Sequence, residues 1–125
     1  YRDGKEWSNS WLTVGASSRY NDKIKASFSN FGKQQVDIFG PGVEIYSTVP
    51  KNTYDWAQGT SMAAPAVAGV AALVWSYYPR LTASELRTIL IESGNAHPAL
   101  EGMSINAKVV DALKALKMAE TYAKK

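Results

Sequence analysis

The segment from Met62 to Trp75 constrains the fold of this chain more than any other. It contains no charged residue and almost no polar one. The segment is too short, and too interrupted by Pro65 and Gly69, to be read as a membrane span. A helix that is apolar on every side is instead typical of the centre of a large core. We therefore expect a helix here that is covered on all sides and ends before Pro79, and we expect no membrane span.

Short strands are predicted ahead of this helix. Runs of strand-forming residues, separated by turn residues, predict strands over residues 11–16, 36–39, 43–49 and 54–57. Short strands followed by helices predict an α/β fold built around part of a sheet.

Two further helices are predicted after the apolar one. Thr82 and Glu85 have the spacing of a capping box, in which each side chain binds a free backbone N–H at a helix start. Gly94 predicts the end of that helix. A third helix is expected to begin near Asn106, with one apolar stripe formed by Val109, Leu113 and Leu116.

These elements do not add up to a complete core. Two amphipathic helices and a few short strands can hardly surround a helix as apolar as 62–75. The chain has 125 residues, begins at Tyr1 and shows no signal-peptide pattern. We therefore interpret residues 1–125 as a mature or excised part of a larger domain.

The sequence Gln58-Gly59-Thr60-Ser61 places a serine at the start of the apolar helix. The first N–H groups of a helix have no partner within it, and they favour negative charge nearby. The hydroxyl of Ser61 could attack a carbonyl there, and the Ser61 N–H would meet the resulting oxyanion. Gly59 would leave room for a substrate backbone to approach closely.

Two other interpretations of Ser61 compete with this one. Thr60 or Ser61 could simply cap the helix, which is the usual role of such residues. That role explains neither Gly59 nor the small residues around Pro65. An α/β-hydrolase needs glycine two residues after its nucleophile, and this chain has Ala63 there, so that class is disfavoured.

Several motifs in this chain, taken together, resemble the subtilases, the subtilisin-like serine proteases of peptidase family S8. The stretch Gly59–Gly69 resembles their active-site serine motif. Further motifs follow the family's order at Thr13–Ala16, Ala26–Gly32, Val36–Gly42 and Ile105–Ala107. The resemblance covers about residues 11–116, and residues 1–125 are identified as the C-terminal part of a subtilase catalytic domain. It implies a three-layer α/β fold with a mostly parallel sheet, a buried central helix and two further helices.

The resemblance also implies a function. Ser61 would be the nucleophile of a Ser-His-Asp triad that cleaves peptide bonds through an acyl-enzyme. Thr60 would lie beside the oxyanion hole, and Gly59 would flank the substrate cleft. A serine hydroxyl needs a histidine to accept its proton and an aspartate to orient that histidine.

The rest of this machinery has no counterpart in the chain. No segment resembles the family's motifs for the aspartate, the histidine or the oxyanion-hole asparagine. His97 is the only histidine, and its position matches no catalytic role. Asp37 and Asp55 are interpreted as strand-end or turn residues. We therefore expect the parent protein to be a serine endopeptidase and this chain alone to be inactive; the alternative is a non-catalytic binding or scaffold protein derived from a protease.

The expected partners are a polypeptide substrate and the missing N-terminal half of the domain. Without that half, two copies of the fragment are expected to cover each other's open face as a homodimer. A secreted, periplasmic or cell-surface location is implied by the family alone.

Metal and nucleic-acid binding are not predicted. No cofactor is predicted; family resemblance makes calcium possible, since many subtilases bind it, but no site is identified. The acidic residues considered are scattered and lack the spacing of a calcium loop; they are Asp3, Glu6, Asp22 and Asp55. The net charge is +3, and the late lysines are interpreted as a solvated helix face. The absence of cysteine excludes disulfides.

Overall fold

The computed structural model describes residues 9–19, 25–27, 29 and 36–124. The strands are β1 (Val14–Ser17), β2 (Ile38–Pro41), β3 (Ile45–Val49), β4 (Thr53–Ala57), β5 (Asn95–Ala96) and β6 (Lys108–Val109). The α-helices of the described residues are α1 (Thr60–Tyr77), α2 (Ala83–Glu92) and α3 (Ala112–Ala123), and a 3-10 turn covers Pro98–Leu100.

Four strands form the main sheet in the order β1-β2-β6-β5. β1 and β2 pair in parallel with Val14 opposite Ile38, and β6 continues the parallel pairing with Val109 opposite Phe39. Only β5 runs antiparallel. β3 and β4 form a separate antiparallel hairpin. The predicted α/β class, with three helices and a mostly parallel sheet, is therefore confirmed.

The core lies on both faces of β2 because neighbouring strand residues point to opposite faces. Ile38 is fully buried in a cluster to which all three helices contribute, including Val67, Leu90 and Ala115. Phe39 is fully buried on the other side, against Val36 and Leu100. The described residues thus show a helical layer over one face and a smaller apolar cluster on the other.

Helix α1 occupies the central position that the sequence predicts. It packs on β1 and β2 and contacts both other helices. Its burial is narrower than expected: only Ala63, Val67 and Val74 are buried. An open stripe runs along the other side at helical spacing; its exposed members are Ser61, Ala64, Pro65, Ala68, Gly69, Ala72 and Leu73. In the described residues, cover on all sides is therefore not seen.

By length and composition, α1 also passes the test for a membrane-crossing helix. The core helix of a soluble protein passes the same test, so this finding is only a weak sign of a span.

The second predicted helix is confirmed together with its capping box. Thr82 Oγ1 accepts the Glu85 N–H at 3.1 Å, and a Glu85 carboxylate oxygen accepts the Thr82 N–H at 2.8 Å. The helix ends at Glu92, with Ser93 as its C-cap. Gly94 follows, and its lack of a side chain matters for packing: a Cβ there would lie 2.9 Å from the Val109 carbonyl oxygen.

The predicted start of the third helix near Asn106 is wrong. Lys108 and Val109 form β6 instead, because Val109 is paired between Phe39 of β2 and Asn95 of β5. The helix begins only at Ala112, after Asp111 has capped it by accepting the Lys114 N–H at 2.9 Å. The predicted apolar stripe is right only for Leu116, which packs against the core. Leu113 is 62% exposed, Val109 lies in β6, and Ala115 and Ala119 form the buried face of the helix.

The strand predictions hold with shifted ends. β1, predicted over residues 11–16, covers Val14–Ser17. β2, predicted over residues 36–39, covers Ile38–Pro41. β3 begins at Ile45 rather than Val43, because Glu44 has a positive φ of 53°. The motif over residues 26–32 falls largely outside the described residues. Ser29 lies within them, and its hydroxyl accepts the Ala16 N–H at 2.8 Å.

Candidate active site

Gly42 joins the ends of β1 and β2 to the start of α1. Its N–H donates to the Ser17 carbonyl at 3.1 Å, and its own carbonyl accepts the Gly59 N–H at 2.8 Å. A Cβ on Gly42 would lie 2.7 Å from both the Gly59 carbonyl oxygen and the Ala16 Cβ. Only glycine therefore lets these three backbone segments meet, and this contact fixes the position of the residues before Ser61.

Gly40 brings α1 directly onto β2. A Cβ at this position would lie 2.8 Å from Val67 Cγ2 and 3.1 Å from the Ala63 carbonyl oxygen. The first turns of α1 are thus held at a fixed height above the carboxyl end of the sheet. Sequence analysis did not predict these contacts of Gly40 and Gly42, because a contact with residues far along the chain leaves no local signal.

The start of α1 has no side-chain cap. Its N-cap is Gly59, with φ 150° and ψ 164°, and there is no acidic residue in the first turn. This backbone conformation is essentially restricted to glycine. The competing interpretation, in which Thr60 or Ser61 caps the helix, is therefore wrong: both lie inside α1.

Ser61 lies exposed at this uncapped end. The N–H groups of Met62 and Ala63 both point to the Gly59 carbonyl, at 3.0 and 3.3 Å. Within the described part of the chain, the N–H groups of Thr60 and Ser61 have no acceptor. Because free N–H groups at a helix start favour negative charge, this end can receive an anionic group next to the Ser61 hydroxyl.

The space in front of Gly59 is open. A Cβ built on it would have only the Ser61 nitrogen within 4 Å, at 3.7 Å. The three residues that the sequence predicts thus lie in one turn, in which Gly59 and Thr60 are half-buried and Ser61 is exposed.

His97 lies toward the opposite end of the strands from the serine turn. It follows β5, where Ala96 lies opposite Lys108, so the chain is running toward the end at which the parallel strands begin. Ser61 lies at the end where β2 finishes. His97 Nδ1 accepts the Ala99 N–H at 3.3 Å and caps the 3-10 turn. Sequence analysis gave His97 no catalytic role, and that stays a prediction.

Asp37 and Asp55, which the sequence analysis interprets as structural, both bind neighbouring groups. One carboxylate oxygen of Asp37 binds Arg87 at 3.0 Å, and the other accepts the Thr13 N–H at 2.8 Å. Asp55 accepts the Trp56 N–H at 2.7 Å. Across residues 9–19, 25–27, 29 and 36–124, no cluster of three metal-binding side chains is found. Asp3, Glu6 and Asp22 lie outside the described residues.

A cleft of about 390 Å³ adjoins the serine turn. It is lined by Arg19, Glu44, Trp56, Ala57 and Gln58, and Gln58 directly precedes Gly59. Sequence analysis missed this cleft. Alternating aromatic residues at 54 and 56 were the signal that one face of β4 is aromatic.

Comparison with known proteins gives one consistent family. The model of the subtilase family of peptidases matches residues 3–112. Subtilisin DY of Bacillus licheniformis is 44% identical, over 66% of this chain and 34% of its own length. Subtilisin E of Bacillus subtilis (strain 168) is 46% identical, over 62% of this chain and 20% of its own. The chain thus spans about a third or less of the length of these relatives.

The fold comparison agrees. The A-subunit of the AB5 toxin from E. coli superposes with a TM-score of 0.78 at 33% identity. The match covers 86% of this chain and 37% of the toxin subunit.

Proposed function

Because this chain belongs to the subtilase family, we propose that it carries the nucleophile of a serine-type endopeptidase. Ser61 is the proposed nucleophile. The start of α1 supports this proposal most. Ser61 is exposed there, two residues after the N-cap Gly59, and the N–H groups of Thr60 and Ser61 have no acceptor among the described residues. A serine held only for helix stability would make a capping bond, and Ser61 makes none.

The proposed reaction follows from this arrangement. The Ser61 Oγ attacks the peptide carbonyl carbon, a base takes its proton, and the carbonyl oxygen becomes an oxyanion. The Ser61 N–H stabilises that charge, with Thr60 beside it. The tetrahedral intermediate collapses when the leaving amine takes the proton, which leaves an acyl group on Ser61. Water then attacks the acyl carbon and restores the serine.

Gly59 has two tasks in this proposal. It adopts a backbone conformation that a side chain would strain, and it leaves the substrate backbone free to lie against the turn. Its bond to Gly42 holds both features in place.

The general base is proposed to come from outside residues 1–125. The chain has one histidine, and it lies toward the other end of the strands. The matched part of this chain covers only 34% of subtilisin DY and 20% of subtilisin E, so both relatives are much longer than this chain. We therefore propose that the base, its aspartate and a second oxyanion donor belong to the part of the domain that these residues do not include.

The open stripe of α1 and the edge of β1 are where we propose that this part packs. The stripe consists mostly of small residues, which allow a neighbouring backbone to approach closely. β1 lies at the edge of the sheet in the described residues, where only an isolated bridge between Ser17 and Lys25 and the bonds of Ala16 to Ala26 and Ser29 cover its outer side. In isolation, residues 1–125 are expected to hide these surfaces by self-association and to show no peptidase activity. Light scattering after size-exclusion chromatography checks the first expectation, and a stable monomer at high concentration contradicts it.

The proposed substrates are polypeptides, in line with the family. A location outside the cytoplasm is proposed on family resemblance alone. Detection of the protein in fractionated cells and medium tests it, and a purely cytoplasmic protein contradicts it.

The experiment that tests the proposed function is labelling with a fluorophosphonate probe, which reacts with activated serines. It is carried out on the full-length protein, and the modified residue is mapped by mass spectrometry. We expect the label on Ser61 and no label in Ser61→Ala. The matched control is Ser76→Ala, because Ser76 is also exposed on α1 but donates to the Leu73 carbonyl near the far end. Labelling that survives Ser61→Ala rules out the assignment, and a folded protein with no label at all supports a non-catalytic binding or scaffold role.

A further inference from the structure

The β3–β4 hairpin exposes an aromatic face next to the serine turn. Tyr46, Tyr54 and Trp56 are 58%, 61% and 64% exposed. Tyr46 lies directly opposite Trp56 in the hairpin register. Its ring centroid is 5.1 Å from that of Trp56 and 5.6 Å from that of Tyr54. The three rings therefore form one continuous surface, which we call the aromatic face.

Cross-strand aromatic pairs also stabilise hairpins, so this role has to be separated from binding. The opposite face of the hairpin already carries the half-buried residues Ile45, Val49 and Ala57. Stability alone does not require that the aromatic rings face solvent. Exposed, closely spaced aromatic side chains are more typical of binding surfaces, where they bury a large area at a small entropic cost.

Trp56 connects the aromatic face to a cleft that reaches Gln58, the residue before the serine turn. Trp56 lines the cleft of about 390 Å³ together with Ala57 and Gln58. Trp56 and Ser61 are five residues apart, so their Cα atoms are at most about 18 Å from each other. An extended polypeptide that crosses Ser61 would cover that distance with five or six residues.

The charge of the cleft narrows the kind of residue that fits. Glu44 on the cleft wall is paired with Arg19 at 2.5 Å, so this wall carries no net charge. The rings supply apolar, stackable surface. A bulky apolar or aromatic side chain therefore gains more from this surface than a charged or a small one.

We propose that the aromatic face is a specificity surface, which binds a bulky apolar residue of the polypeptide substrate within about six positions of the scissile bond. The proposal rests on the proposed function, because Ser61 defines where the scissile bond lies. Trp56 is its main contact, since it belongs to both the aromatic face and the cleft.

The first test uses the full-length protein and fluorogenic peptides that differ at one position at a time. Phenylalanine is compared with glycine at each of six positions on either side of the cleaved bond. We expect Phe to raise kcat/KM at one or two positions on one side, and Trp56→Val to remove about five- to tenfold of that gain. Valine keeps the strand propensity of the hairpin, and Trp56→Phe should restore most of the preference. The control is Tyr77→Val, because Tyr77 is 68% exposed at the far end of α1.

The second test does not need catalysis. The Ser61→Ala protein is titrated with the preferred peptide, and with the same peptide carrying Gly, while Trp fluorescence is recorded. We expect tighter binding of the Phe peptide and loss of that difference in Ser61→Ala/Trp56→Val. If cleavage depends on Ser61 but the preference for Phe over Gly is unchanged in Trp56→Val, the inference is overturned and the proposed function stands. Absence of any Ser61-dependent cleavage overturns the proposed function; a panel of Phe and Gly peptides then decides the inference by binding alone, and equal affinities overturn it.

Discussion

The starts of α1 and α2 solve the same chemical problem in opposite ways. Both helices have N–H groups without an intrahelical partner at their first turn. At α2, Thr82 and Glu85 bind two of these groups with their side chains. At α1, Gly59 has no side chain that could cap the helix, and the Ser61 side chain makes no capping hydrogen bond to the backbone. The closed end contributes stability, whereas the open end keeps donors and a hydroxyl available for a ligand.

The start of α3 follows the pattern of α2. Asp111 accepts the Lys114 N–H at 2.9 Å and also the Asn95 side-chain amide at 2.8 Å. Two of the three described helices thus use a conventional capping residue, and the exception is the helix that carries the family's serine motif. The comparison supports the proposal that the uncapped start of α1 belongs to the site.

Among variants that keep the Ser61 hydroxyl, the largest effect is expected from Gly59→Ala at the open helix start. The methyl group forces a backbone conformation that costs about 1–3 kcal/mol, and relaxation would displace Ser61. Because a shift of about 1 Å can cost about 10²-fold in rate, we expect kcat/KM to fall by at least that factor. Enzyme kinetics and chemical unfolding of the full-length protein measure the two effects.

The matched control for Gly59 is Gly102→Ala. Gly102 also has a positive φ, of 77°, and no atom would lie within 4 Å of its Cβ. This variant should lose stability through backbone strain but keep its rate. Equal loss of rate in both glycine variants would contradict a special role for Gly59.

A smaller effect, of opposite kind, is expected at the closed end. Thr82→Ala removes the cap of α2 and should lower the free energy of unfolding by about 1 kcal/mol. Peptidase activity should stay within about twofold, because α2 does not contribute to the serine turn. Thermal denaturation and kinetics of the same preparation measure both, and Thr82→Ser, which keeps the hydroxyl, should restore stability. A rate loss in Thr82→Ala at a temperature where it is folded would show that the two helix starts are coupled.

The smallest effect is expected at α3 and depends on pH. The Lys114 N–H, and then the Asn95 amide, bind the ionised Asp111 carboxylate and lower its pKa below the ordinary value. A lowered pKa contributes stability that is present above the unfolded pKa and is lost as pH falls through the folded one. Asp111→Asn keeps a capping oxygen but cannot titrate. Its stability relative to the wild type should therefore improve by less than about 1 kcal/mol as pH falls from about 5 to about 2, as measured by urea unfolding. An unchanged difference across this range would contradict the ionised cap.

The elements that sequence predicted well are those fixed by neighbouring residues. The capping box needs only Thr82 and Glu85, and the hairpin needs only two short strand-forming runs around a turn. Gly59, Thr60 and Ser61 were singled out for the same reason, because their spacing before an apolar run is local. The structure brings these three together at the helix start, while their catalytic roles stay predictions.

The features that sequence missed depend on distant contacts. The spacing of Val109 from Leu113 and Leu116 predicts a helix, but Val109 pairs with Phe39 and lies in the sheet. The Gly42–Gly59 bond joins residues from different elements. One side of α1 is exposed because no described residue packs against it. None of these follows from periodicity, because periodicity describes a segment and not what packs against it.

The central claim is that Ser61 serves chemistry and Thr82 serves stability. The most direct test measures kcat/KM and the free energy of unfolding for Ser61→Ala and Thr82→Ala, both in the full-length protein. We expect Ser61→Ala to lose about 10⁶-fold in kcat, the size found for the nucleophile of subtilisin, while its stability changes by less than about 0.5 kcal/mol. Thr82→Ala should show the reverse. A Ser61→Ala protein that keeps its activity, or that loses stability as Thr82→Ala does, would contradict the account.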